Sequence, residues 1–127
     1  MNSKMEKASP VYSRTIEGGV KHLENCEKEP KTIPEIAKIC NVTVGYFRRS
    51  FKNYAGISPG EYRDIQRVNR IKMYLHRPEV TLEQIAEYMH FCDSGYLCRF
   101  FKRKTGMTPH YYRRFYLLQA RQGVDKI

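Results

Sequence analysis

The chain has 127 residues and carries 23 Lys and Arg against 13 Asp and Glu, a formal charge of +10; this length suits one compact domain or two very small ones. Its 41% hydrophobic and 13% aromatic content supplies a core, which excludes a disordered basic tail. No apolar run approaches the roughly 18 residues of a membrane span, and the polar start MNSKMEKASP lacks the apolar stretch of a secretory signal, so a cytoplasmic protein is expected.

Residues 1–12 show no periodicity and read as a flexible arm. A weak helix is expected over Ser13 to Lys28, with Ile16, Val20 and Leu23 on its apolar edge; the Gly18-Gly19 pair weakens it by about 1 kcal/mol per glycine. Thr32 and Glu35 then form a capping box, in which the hydroxyl accepts from an orphan N–H and the residue three on reaches back. Ile33, Ile36, Ala37 and Cys40 follow at helical spacing on one face. After a brief turn, Thr43 caps a second helix in which Tyr46, Phe47, Ser50 and Phe51 make the inner stripe while Arg48, Arg49 and Lys52 fall on the remaining surface. A short helix, a tight turn and a helix with a basic outer face form the helix-turn-helix pattern, whose second helix enters a major groove.

The chain turns at Ala55-Gly56 and restarts at Ser58-Pro59, where Ser58 and Glu61 make another capping box. From Pro59 to about His76, Tyr62, Ile65, Val68, Ile71 and Leu75 recur at near-helical spacing with no breaker before Pro78. Such a helix is roughly 27 Å long, enough to set two recognition helices about 34 Å, one DNA turn, apart.

The C-terminal half of the chain repeats the N-terminal half. Thr81–Phe91 matches Thr32–Val42 at an offset of 49, with Thr81 and Gln84 as its capping box; one residue is gained at Cys92, and the offset becomes 50. From there Gly45, Tyr46, Arg49, Phe51, Lys52, Gly56, Pro59, Tyr62 and Arg63 recur as Gly95, Tyr96, Arg99, Phe101, Lys102, Gly106, Pro109, Tyr112 and Arg113. In all, 12 of 32 aligned positions are identical, which chance with a single one-residue gap does not readily give. The charge follows the repeat: residues 44–77 hold eight basic and two acidic side chains and residues 96–127 hold eight against one, while 78–95 hold four acids and no base. Two basic blocks on matching helices point to nucleic acid ahead of an anionic membrane or an acidic protein.

The expected fold is all-α, with about seven helices. It divides into the arm 1–12, a first helix-turn-helix subdomain 13–57, a linker helix 58–77, a second subdomain 78–118 and a tail 119–127. Cys26, Cys40, Cys92 and Cys98 show no C-x-x-C pair and read as reduced structural thiols. His90, Cys92 and Cys98 cluster in sequence, but Cys98 falls on the basic helix, so no metal and no cofactor are expected. The sequence has no paired carboxylates in an apolar setting, no Gly-rich phosphate loop and no Ser-His-Asp arrangement, so no enzymatic chemistry is expected.

The stretch IAEYMHFCDSGYLCRFFKRKTGMTPHYYR, Ile85 to Arg113, and its counterpart IAKICNVTVGYFRRSFKNYAGISPGEYR carry a recognisable signature. From about Ser13 to Tyr116 the chain resembles the DNA-binding domain of AraC/XylS-family transcription regulators. The resemblance implies a sequence-specific double-stranded DNA-binding regulator, with activation favoured over repression. Base edges would be read by Gly45, Arg48 and Arg49 in the first unit and by Ser94, Gly95, Cys98 and Arg99 in the second. Arg48 and Arg49 suit bidentate contact with guanine, although adjacent arginines also suit phosphate. Lys52 and Lys102 are expected at phosphates, and the helix starts at Thr32 and Thr81 offer N–H groups to phosphates. Tyr46 and Tyr96 either present hydroxyls to the DNA backbone or pack at the helix root.

The sequence departs from the usual family pattern at Gly45 and Gly95, and Cys98 is a poor hydrogen-bond donor, so the second unit should specify less than the first. Because the units differ, one chain, acting as a monomer, should read an asymmetric site. The acid-only segment Pro78–Asp93 should face away from phosphate, as a surface for RNA polymerase or as simple charge balance. The rival readings are weaker. Adaptive-response DNA repair proteins carry paired upstream cysteines that are absent here, RNA binding would bring an aromatic RNP-type segment, and a protein-interaction module derived from this fold would have lost its basic faces. About 30 residues precede the first unit, too few for the effector-binding domain of most relatives; the chain is expected to be either a stand-alone regulator or the DNA-binding part of a larger one.

Overall fold

The computed structural model describes residues 10–126, with side chains described over 16–121. Among the described residues it contains seven helices and no strand: α1 (Pro10–Glu24), α2 (Ile33–Ile39), α3 (Val44–Ala55), α4 (Pro59–Leu75), α5 (Leu82–Tyr88), α6 (Ser94–Thr105) and α7 (Pro109–Lys126). The all-α expectation holds. The chain divides into two units within α4, after Gln66.

Local chemistry sets most helix ends. The N–H of Thr32 donates to Glu35 Oε1 at 2.8 Å and that of Glu35 donates back to Thr32 Oγ1 at 3.2 Å; Thr81 and Gln84 repeat the arrangement at 2.9 and 3.1 Å. Ser58 and Glu61 close the third box, 3.1 Å each way. Thr43 Oγ1 and Asp93 Oδ1 accept from the N–H of Tyr46 and Tyr96, starting α3 and α6. Both of these helices end at a glycine in the left-handed region, Gly56 at φ 86° and Gly106 at φ 82°, where a Cβ would be strained. The turns inside the two helix-turn-helix motifs each use a left-handed residue, Asn41 and His90, both at φ 62°.

The first helix differs from expectation at both ends. It begins at Pro10, so residues 10–12 of the expected arm are helical, while 1–9 lie outside the described residues. It stops at Glu24 rather than Lys28, because Asn25 Oδ1 accepts from the N–H of Lys28 and of Glu29, turning the chain away. At the other end of the protein α7 runs through the expected tail as far as Lys126.

In the first unit Ile16, Leu23, Ile33, Ile36, Ala37, Phe47 and Phe51 form the core, with Val20, Cys40, Val42, Val44 and Tyr62 packed against it. Gly19, which weakens α1 in isolation, is required here: a Cβ on it would lie 2.5 Å from the Phe47 ring. In the second unit Ile71, Leu75, Ile85, Met89, Leu97 and Phe101 are fully buried. Ile65, expected on the inner stripe of α4, is instead 47% exposed.

Each trailing helix is tied back by the same two repeated residues. Arg63 donates through Nη1 to the carbonyl of Lys31, just ahead of the Thr32 cap. Arg113 donates to the carbonyls of Leu75 at 2.9 Å, Arg77 at 3.1 Å and Val80 at 2.6 Å, Val80 lying just ahead of the Thr81 cap. Beside them the Tyr62 hydroxyl donates to Glu24 Oε2 at 2.7 Å, and the Tyr112 hydroxyl pairs with His76 Nε2 at 2.9 Å. Glu24 closes α1 and His76 follows the last residue of α4. Thus α4 trails in the first unit and leads in the second, where α1 leads in the first.

Candidate nucleic-acid interface

The outer faces of α3 and α6 are built by what their inner faces bury. In α3, Phe47, Ser50 and Phe51 are buried. The helical period then leaves Gly45, Arg48, Arg49 and Lys52 exposed together, with Tyr46 half-buried. In α6, Leu97, Phe100 and Phe101 are buried; Gly95, Arg99 and Lys102 are exposed, and Ser94 and Cys98 half-buried. Two further side chains join these faces, Asn53 beside Arg48, Arg49, Lys52 and Ser58 in one shallow depression, and exposed Arg103, whose guanidinium sits 5.7 Å from the Phe100 ring. Both follow from spacing, since each lies four residues beyond a candidate already on its face.

The tyrosines part company. Tyr96 is 46% exposed, its ring 5.5 Å from that of Phe91 with the Arg99 guanidinium 6.0 Å above it, so it is not part of a buried stripe. The Cys98 thiol is held above its ordinary range, first by burial and then by the negative charge of Glu83, against an opposing pull from Arg99. It is therefore a neutral, weakly polar surface at neutral pH.

Not all the basic charge faces outward. Arg63 and Arg113 are committed to backbone carbonyls, and the Arg67 guanidinium lies over the rings of Phe91 and Phe100, at 5.5 and 6.0 Å, with its Nε buried and unpartnered. The N–H groups of Thr32 and Thr81 are engaged in their own capping boxes at the surface. Among the described residues no group of three or more His, Cys, Asp or Glu is placed to hold a metal, and no helix is long and apolar enough to cross a membrane. Among the described residues no disulfide joins any of the four cysteines.

Helix-turn-helix domains of AraC type match residues 36–114 as a family, a span that includes both recognition helices. The chain belongs to this AraC-type helix-turn-helix family. Its AraC-type fold is shared with the C-terminal domain of AraT, a response regulator from Geobacillus stearothermophilus, at 27% identity and a TM-score of 0.69 over 86% of this chain and 88% of that one. The DNA-binding domain of AdpA, a global transcriptional factor solved in complex with a target DNA, shares the fold at 22% identity and a TM-score of 0.71, covering 90% of this chain and 99% of that one.

Among curated proteins, AdaA of Bacillus subtilis, a bifunctional transcriptional activator and DNA repair enzyme, is 33% identical over 98 residues, 77% of this chain and 46% of AdaA. YtdP of the same organism, an uncharacterized transcriptional regulator of helix-turn-helix type, is 29% identical over 115 residues, 90% of this chain and 15% of YtdP. The chain thus spans less than half the length of either relative. As an AraC-type domain it is a DNA-binding component of the transcription-regulator class.

Proposed function

We propose that the chain is a sequence-specific duplex-DNA-binding activator of transcription that reads an asymmetric site, one recognition helix to each of two successive major grooves. One observation carries this reading: two matched helices on a single chain bury their apolar stripes and carry different polar sets on the outer face, exposed Arg48 and Arg49 in the first and half-buried Cys98 with exposed Arg99 in the second. A guanidinium suits the O6 and N7 of guanine, while a neutral thiol suits apolar contact with a thymine methyl. Lys52 and Lys102, in the last turns of the two helices, contact phosphates, and Tyr46 and Tyr96, in the first turns, present their hydroxyls to the DNA backbone. Because the N–H groups of Thr32 and Thr81 are engaged in their capping boxes, a phosphate at these helix starts is left the N–H of Ile33 in the first unit, where Pro34 has none, and those of Leu82 and Glu83 in the second.

Activation on this reading uses the acidic face of α5. Glu83 and Glu87 are exposed there, and RNA polymerase is the partner expected to meet them. Selection of bound sites from a random duplex library tests the whole reading. The expected product is a non-palindromic site, bound as a monomer, preferred over single strand and RNA, with affinity falling steeply as salt rises. A palindromic site, or no duplex preference, defeats it. Charge reversal at Glu87 alone, with Glu83 kept because its charge reaches the Cys98 thiol, should abolish activation with DNA binding intact; unchanged activation removes the polymerase contact alone.

A further inference from the structure

A pairing recurs at the start of both recognition helices. Side chains on a helix lean toward its N-terminus, so the residue at i+4 lies over the residue at i. A Cβ on Gly45 would stand 3.3 Å from Arg49 Nη1, and one on Gly95 would stand 3.4 Å from Arg99 Nη1. Each guanidinium therefore lies back across the bare backbone of the glycine four residues earlier, tighter than ordinary packing against a methyl group at Gly45 and at its near edge at Gly95, where Asp93 Oδ1 stands equally close at 3.4 Å. In the second unit the Tyr96 ring flanks the same guanidinium at 6.0 Å.

Neither half of this arrangement favours folding. Glycine is a poor helix former compared with alanine, and a cation near a helix N-terminus meets the positive end of the helix dipole. Two locally unfavourable choices at one place, found in both units, mark a site shaped by a ligand rather than by stability. The N-terminal part of a recognition helix is also the part that meets base edges.

We propose that Gly45 and Gly95 are positioning residues that seat Arg49 and Arg99 across the first turns of the two recognition helices, so that each unit reads one guanine through the same glycine–arginine pair. This rests on the duplex-reading function proposed above and sharpens it. The asymmetric site should hold a guanine at equivalent places in its two halves, with its asymmetry arising elsewhere, where Arg48 faces one half and Cys98 the other.

The test uses the full chain and the site it selects from a random duplex library. Gly45→Ala and Gly95→Ala are compared with the parent on that site and on duplexes with each guanine replaced in turn. Each alanine variant should melt no lower than the parent. Its preference for guanine should nevertheless fall about tenfold, the size of one bidentate contact, at one position in its own half-site only. Arg49→Lys and Arg99→Lys should lose the same preference, and adding the alanine change to them should take away nothing further. Undiminished guanine preference in both alanine variants, or equal weakening on every duplex, overturns the inference while leaving the duplex-reading function in place. If the parent chain selects no site at all, both fall.

Discussion

In the first unit Tyr62 donates to a carboxylate, Glu24, at 2.7 Å; in the second its counterpart Tyr112 pairs with an imidazole, His76, at 2.9 Å. Each latch joins the trailing helix to the end of the leading one, and each is accompanied by a repeated arginine on a backbone carbonyl. The cores differ in a compensating way. Gly19, five residues before the latch partner Glu24, meets Phe47 in the first unit, whereas in the second Ile71, five residues before the latch partner His76, and Leu97, the repeat counterpart of Phe47, are both fully buried. Duplicated sequence has kept the backbone devices and let the side-chain volumes trade, as expected when a core must fill a fixed space at crystal-like density.

The largest effect in this comparison should come from the arginine clamp. Arg113→Ala strips a charged donor from the carbonyls of Leu75, Arg77 and Val80, and should cost about 3 kcal/mol in denaturant titration. Amide exchange should quicken across α5–α7 before α1–α3; uniform loss over both units would mean that they do not hold together separately.

Next in size is the volume trade. Gly19→Ile drives a branched side chain into the Phe47 ring and should destabilise by about 2 kcal/mol, and Phe47→Leu in the same chain should restore a good part of that. No recovery in the double variant would show that the glycine serves the backbone and not the ring.

The smallest effect distinguishes the latches by pH. Burial, and then the charge of Lys72, hold His76 below its ordinary value, so the unfolded chain binds the proton more readily than the folded one. Stability from this group is therefore full above about pH 6.5 and declines as pH falls below it. The Tyr62 hydroxyl is pushed up to about 12, by burial first and then by its bond to Glu24, and stays protonated throughout. Melting temperature should drop on acidification toward pH 5.5 in the parent and by less in His76→Gln; identical profiles would show that the imidazole contributes nothing to the difference.

Much of this was legible in the sequence because it is local. Capping boxes at Thr32, Thr81 and Ser58, and the left-handed glycines Gly56 and Gly106, depend on residues within one turn of each other. The exposed sets on α3 and α6 follow from the helical period in the same way. What escaped was tertiary. Arg63 and Arg113 look like DNA-facing charge until the carbonyls 32 and 33 residues away are seen to receive them. Ile65 fits the period of α4 but falls between Tyr62, which serves the first core, and Val68, which is buried in the second unit. Gly19 reads as a weakness because propensity is a property of one helix, and the ring that needs the space belongs to another.

α4 serves both units, one from each of its halves. Two units are walled by three long helices, α1, α4 and α7, rather than by four. The boundary between them falls inside α4, after Gln66, so each unit takes its part of the wall from a different end of one helix. The duplication visible in the sequence therefore runs through one shared helix: Tyr62 answers to the first core and Val68 to the second, and a unit exchanged for another would carry its own half of α4 with it.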